Sequence, residues 1–113
     1  MNSFEIYGGN ALNGEVEPQG AKNEALQVIA CTLISSEKIT IKNIPDILDV
    51  RMLIALLEDL GVEVEKLNAH TYTFHAREAN LDFLISPEFK KKSGKLRGAV
   101  MLAGPLLARF RKA

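Results

Sequence analysis

Tryptophan is absent from this chain, and only seven residues, five Phe and two Tyr, are aromatic. Any core must therefore draw mostly on aliphatic side chains. There is a single cysteine, Cys31, so no disulfide framework can exist, which fits a reducing compartment. Charge of one sign is missing too: 14 basic residues balance 14 acidic ones, which argues against a general nucleic-acid binder. The opening Met1-Asn2-Ser3-Phe4-Glu5 lacks the basic and then apolar regions of a signal peptide. The longest apolar or small run, Gly98 to Ala108, is well below the ~20 residues of a membrane-spanning helix. The expectation is a soluble, cytoplasmic protein with no membrane and no nucleic-acid partner.

What is present reads as an ordinary globular domain. Of 113 residues, 47% are hydrophobic and 25% charged, enough for one core and too few residues for two. Cys31 lies within Val28-Ile29-Ala30-Cys31-Thr32-Leu33 and reads as a small core residue. From Lys90 onward the chain carries only basic charges, Lys90, Lys91, Lys92, Lys95, Arg97, Arg109, Arg111 and Lys112. Most of that tail reads as a solvated basic face.

Phe4-Glu5-Ile6-Tyr7 alternates as a short strand, and Glu15-Val16-Glu17 reads as a second extended piece ending at Pro18. A helix follows from about Ala21 to Ile34, with Leu26, Ile29, Ala30 and Leu33 on one stripe. Ile39 and Ile41 share a strand face opposite Lys38, Thr40 and Lys42. Pro45-Asp46 leads into a second helix, capped by Asp46 or Asp49, striped by Leu53, Leu56, Leu57 and Leu60, and closed by Gly61. Val62, Val64 and Thr71-Tyr72-Thr73-Phe74 form a hairpin around Asn68-Ala69-His70, and Leu81 to Ile85 is a further strand candidate. After Pro87 comes a third helical region with Leu96, Val100, Ala103 and Leu107 on one side, which Gly104-Pro105 should kink or split. Helices alternating with strands indicate an α/β (α+β) fold. The last helix ends at Arg109-Phe110-Arg111-Lys112-Ala113 with no closing strand, as in a chain cut short.

The sharpest chemical signal is Gly20-Ala21-Lys22-Asn23-Glu24-Ala25-Leu26. Lys22 sits at the positive end of the helix dipole, where a cation is mildly unfavourable unless an anion lies between its ammonium and the free N–H groups. Arg97 opens the third helical region, and a planar guanidinium suits two-pronged binding of phosphate or carboxylate. His70 and His75 have no metal-ligand spacing with Cys31 and read as surface residues; Lys90, Lys91, Lys92 and Lys95 receive no role.

The segment 20–26, Asn43-Ile44-Pro45-Asp46-Ile47-Leu48-Asp49-Val50, Leu57-Glu58-Asp59-Leu60-Gly61-Val62-Glu63-Val64, Leu96-Arg97-Gly98 and Gly104-Pro105-Leu106-Leu107-Ala108-Arg109-Phe110 together resemble the start of the UDP-N-acetylglucosamine enolpyruvyl transferase family. The resemblance spans the chain in order. It implies transfer of the enolpyruvyl group of phosphoenolpyruvate to the sugar 3-hydroxyl of UDP-N-acetylglucosamine with release of phosphate, the first committed step of bacterial peptidoglycan synthesis. It implies no metal and no organic cofactor, and two small-molecule substrates. It also implies a fold of repeated βαβαββ units, an inside-out α/β barrel: 1–113 as an N-terminal fragment, with strands in 1–20, a βαβαββ-like unit in 21–85 and the helical start of the next unit in 86–113. Carried over by position, Lys22 is catalytic and binds phosphoenolpyruvate, Asn23 bonds the sugar substrate, and Arg97 helps hold phosphoenolpyruvate. Asp49 is read as structural, a helix cap. The pattern departs at Gly98-Ala99, where many members have a small residue and then serine, and at Arg111, where the familiar residue is glycine. The general acid, commonly a cysteine on a mobile loop, and the aspartate base would follow Ala113, so these residues alone are expected to be inactive. Two other readings remain open: the sister transferase acting on shikimate 3-phosphate, and a non-catalytic phosphate-binding or self-associating module.

Overall fold

A computed structural model describes residues 2–113. Helix α1 (Lys22–Cys31) runs on into a 3₁₀ turn at Thr32–Ile34. Strand β1 (Lys38–Ile41), helix α2 (Leu48–Asp59) and the hairpin β2 (Glu63–Asn68) and β3 (Thr71–His75) follow. A 3₁₀ segment at Leu81–Ile85, α3 (Pro87–Lys95), a 3₁₀ segment at Arg97–Leu102 and α4 (Ala103–Phe110) complete the described chain.

The sheet order is β1-β3-β2, with β3 antiparallel to both neighbours. Strands β1 and β2 therefore run parallel with a gap between them, bridged by α2 and filled by β3. Ile39 and Val64 flank Phe74, and Ile41 flanks Tyr72, so one pleat face is apolar and joins the core under α1 and α2. The other face carries Lys38, Thr40, Thr73 and Glu65. Ile29 and Leu33 from the first helical stretch, Leu53, Leu57 and Leu60 from α2, and Phe74 are fully buried. Each such side chain contributes about 1.5–3 kcal/mol by leaving water. The α/β reading and the stripes of the first two helices are borne out.

The end of α2 shows why Gly61 is needed. The Val62 N–H donates to the Leu57 carbonyl and the Gly61 N–H to that of Glu58, the paired bonds of a Schellman motif. That geometry puts Gly61 at φ +96°, open to glycine without strain. Gly20 serves a different purpose. A Cβ there would stand 1.9 Å from the Asn43 carbonyl oxygen, so only glycine lets the start of α1 lie against the loop before α2. That loop is also held from its far side, where Ile44 donates its N–H to the His70 carbonyl at 2.9 Å and its own carbonyl lies 2.8 Å from His70 Nδ1. His70 is exposed, as its sequence position suggests, and at the same time latches this loop.

Several expectations are corrected. Residues 2–20 form no strand at Phe4–Tyr7 or Glu15–Glu17, and Phe4, Ile6 and Val16 are about nine-tenths exposed. Alternation makes a segment able to pair, but a strand exists only when a partner supplies the ladder, and within these residues none does. Leu81–Ile85 is a 3₁₀ segment because local bonds already serve its backbone, Phe83 N–H to Asn80 and Ser86 N–H to Phe83. Ser86 then caps α3 by accepting from the Phe89 N–H at 3.1 Å, ahead of Pro87 in the first turn. The single apolar side expected across 96–107 is broken. Leu96, Leu102 and Leu106 are buried while Val100 and Leu107 face water, because the 3₁₀ stretch turns every three residues and shifts the register. Pro105 falls in the first turn of α4, where its missing N–H is tolerated. Cys31 is exposed, one position past the buried Ala30 on the helix surface. Neither Asp46 nor Asp49 caps α2: Ile47 holds the cap position without a side-chain bond, and Asp46 pairs with Arg51 at 3.4 Å.

Candidate functional site

The N-termini of α1 and α2 lie at the same end of the packed helix pair, and Arg97 at the start of its 3₁₀ segment faces the same hollow. The result is a cleft of about 250 Å³ whose wall includes Lys22, Asn23, Asp49, Arg97, Gly98 and Met101. Three residues separated by up to 75 positions and singled out from sequence, Lys22, Asn23 and Arg97, thus share one small concavity. Each has a local cause. Ala21 has extended dihedrals, so the helix begins at Lys22 and its first N–H groups remain without intrahelical partners. Leu96, also extended, turns the chain so that its own side chain is buried while Arg97 stays exposed. Gly98 lets that turn press on α1, since a Cβ there would be 3.0 Å from Leu26 Cδ1.

The cleft is electrostatically uneven. The Lys22 ammonium forms an ion pair with the Asp49 carboxylate, with side-chain exposures of 51% and 28%. Asp49 is the second residue of α2, where its charge also suits the dipole of that helix. Among the described residues Arg97 has no ion-pair partner, and no side-chain hydrogen bond engages Asn23. The arrangement is a cationic pocket with one carboxylate, an unengaged amide and the free N–H groups of a helix start. Such a set can hold an anion and, through Asn23, orient a polar neighbour.

A larger groove of about 820 Å³ runs between the 81–85 segment, α3 and the 97–106 stretch. Its walls, including Leu84, Phe89, Leu96 and Leu106, suit apolar contact, so size alone does not mark the chemical site. Arg97 borders both hollows.

Sequence reasoning missed two residues. From sequence Asp49 reads as a helix cap, since its place in a helix-entry motif gives no hint of a partner 27 positions earlier. Arg109 reads as part of the solvated basic face, yet its Nη1 donates to the carbonyls of Leu33, Ser35 and Ala76 and its Nη2 to that of Arg77, at 2.5–3.0 Å. It ties α4 to the end of the first helical stretch and to the exit of β3. Of the lysines, Lys92 reaches Asp59 across α3 and α2.

Comparison with known proteins bears on this geometry. The family model described as EPSP synthase (3-phosphoshikimate 1-carboxyvinyltransferase) matches residues 6–113. The chain belongs to this family. It is 54% identical over all 113 residues to a UDP-N-acetylglucosamine 1-carboxyvinyltransferase of Bacteroides fragilis. It is 51% identical over 110 residues to the protein of that name from Porphyromonas gingivalis and 39% identical over 117 aligned residues to one from Helicobacter pylori. It spans 26%, 25% and 26% of those three relatives respectively. None of the helices described is long and apolar enough to cross a membrane.

Proposed function

We propose that these residues are the N-terminal part of a carboxyvinyl transferase that moves the enolpyruvyl group of phosphoenolpyruvate onto the 3-hydroxyl of UDP-N-acetylglucosamine and releases phosphate. The observation that carries the proposal is the meeting of Lys22, Asn23 and Arg97 in one cleft of a chain so similar to enzymes bearing that name. In this reading Lys22 and Arg97 bind the phosphate and carboxylate of phosphoenolpyruvate. Their charges oppose the negative charge that develops as the phosphate departs, the kind of electrostatic stabilisation that is often the largest catalytic contribution. Asn23 hydrogen-bonds the sugar substrate beside the reacting hydroxyl. A reaction of this type also needs a proton donor and a proton acceptor within hydrogen-bond reach. Of the groups lining the cleft only Asp49 is a carboxylate, and it is committed to Lys22. The remaining groups are assigned to polypeptide outside these 113 residues, which alone should not turn over. The setting of the reaction is the bacterial cytoplasm and the pathway that of peptidoglycan.

The test is phosphate release by the natural gene product with phosphoenolpyruvate and either UDP-N-acetylglucosamine or shikimate 3-phosphate as acceptor. Turnover with the sugar nucleotide alone, lost on the order of 10²-fold or more in Lys22→Gln, is the expected result. Turnover with shikimate 3-phosphate instead would move the assignment to the sister reaction. Phosphate binding without turnover would leave a non-catalytic module.

A further inference from the structure

Resting on that transferase reading, we infer that Asp49 is a positioning residue, holding the Lys22 ammonium in the aim it needs toward substrate. A lysine side chain ends in a point charge on a flexible four-carbon stem with three equivalent donors. Lys22 is half-exposed and sits at a helix start that disfavours a cation, so nothing on α1 fixes where its ammonium rests. Asp49 comes from a different helix and is more buried than its partner. Its backbone is locked by α2, and the preceding loop is clamped between Gly20 and His70. It makes no capping bond that would account for its side chain otherwise. One of the three ammonium donors is then held by Asp49 while two remain for an anion.

The arrangement has a second consequence of opposite sign. Asp49 places a negative charge beside the anion site and weakens its pull on phosphate. Part of that charge is offset by the α2 dipole, and Arg97, with no carboxylate partner among the described residues, remains a full cation in the cleft. Asp49 thus trades affinity for alignment. Replacing it should move the two apart: a phosphate-bearing substrate should bind at least as tightly, while its turnover falls.

The experiment compares Asp49→Asn and Asp49→Glu, alone and in a Lys22→Gln background, in the natural gene product. Asp49→Asn should lower kcat by about tenfold to a hundredfold, the scale set by a misplacement near 1 Å. The KM for phosphoenolpyruvate should stay level or fall, and the melting temperature should hold. Asp49→Glu, whose longer arm still reaches the ammonium, should recover part of the loss, and Asp49→Asn should add nothing once Lys22 is gone. An unchanged kcat in Asp49→Asn, or an equal loss in the Lys22→Gln background, would overturn the inference. A readout independent of turnover is the nitrogen-15 signal of the Lys22 ammonium. It should be ordered in the parent protein and averaged like an exposed lysine in Asp49→Asn. If the parent shows that order, and its Lys22 signal shifts when inorganic phosphate is added, but it has no transferase activity, the transferase reading fails and the positioning by Asp49 stands. If the Lys22 ammonium is as mobile in the parent as the other lysines, the positioning fails whatever the turnover.

Discussion

Arg109 anchors more of the tertiary structure than any other single polar side chain described. Its guanidinium spreads four donated bonds over carbonyls from two parts of the chain, 33–35 and 76–77, and its Cζ lies 4.7 Å from the Phe110 ring centroid. Arg109→Ala would leave those carbonyls without their charged partner, and a loss of about 2–3 kcal/mol in urea unfolding is expected. Arg109→Lys should recover little, because one ammonium cannot span the same fork. Gly20 offers a second test at this scale. Gly20→Ala drives a methyl into the Asn43 carbonyl, so about 1–3 kcal/mol of stability should go, and phosphate affinity should weaken as the start of α1 shifts. Neither effect is visible in the residue alone. A terminal arginine among basic neighbours reads as solvated, and Gly20 reads as a turn glycine although its constraint is a close approach from a loop twenty-three positions on.

Among the elements, α4 ends in an unfavourable way. Arg111 holds φ +59° with its N–H bonded to the Leu107 carbonyl at 3.1 Å, the left-handed termination that glycine fills at least cost. Arg111→Gly is expected to stabilise the α4 end by about 1 kcal/mol, read as a rise in the denaturant midpoint with an unchanged slope. The contact between α2 and α3 gives a pH signature. Hydrogen bonding to Asp59 raises the Lys92 ammonium above its ordinary 10.5. A raised cation stabilises the fold fully below the unfolded value and loses that contribution as pH climbs through the folded one. The melting temperature should therefore drop slightly faster above pH 10.5 than in Asp59→Asn. Because the Lys92–Asp59 pair lies at the surface, with Lys92 exposed, high salt should erase the difference. Element identity was readable wherever a 3.6-residue stripe ran unbroken, as in α1 and α2. It was misread at 81–85 and 96–107, because short apolar runs do not separate strand, 3₁₀ turn and α-helix.

For the molecule as a whole, the core is aliphatic with Phe74 at its centre, fully buried between the sheet and the helices. Phe74→Ala should cost about 3–5 kcal/mol, enough to threaten a domain of this size, and loss of a cooperative thermal transition would show it. The α/β alternation, the faces of the first two helices, the Gly61 stop and the kinds of residue able to meet an anion follow from local chemistry. Periodicity, dihedral preference and donor type are properties of neighbours in sequence. The meeting of Lys22 with Arg97, the diversion of Asp49 from cap to ion pair and the four-way bond of Arg109 depend on contacts across 27 to 76 positions. So does the unpaired state of 2–20, since a strand is defined by a partner and not by its own alternation. Such pairings arise from how helices and sheet bury their apolar faces together, and that packing alone decided them.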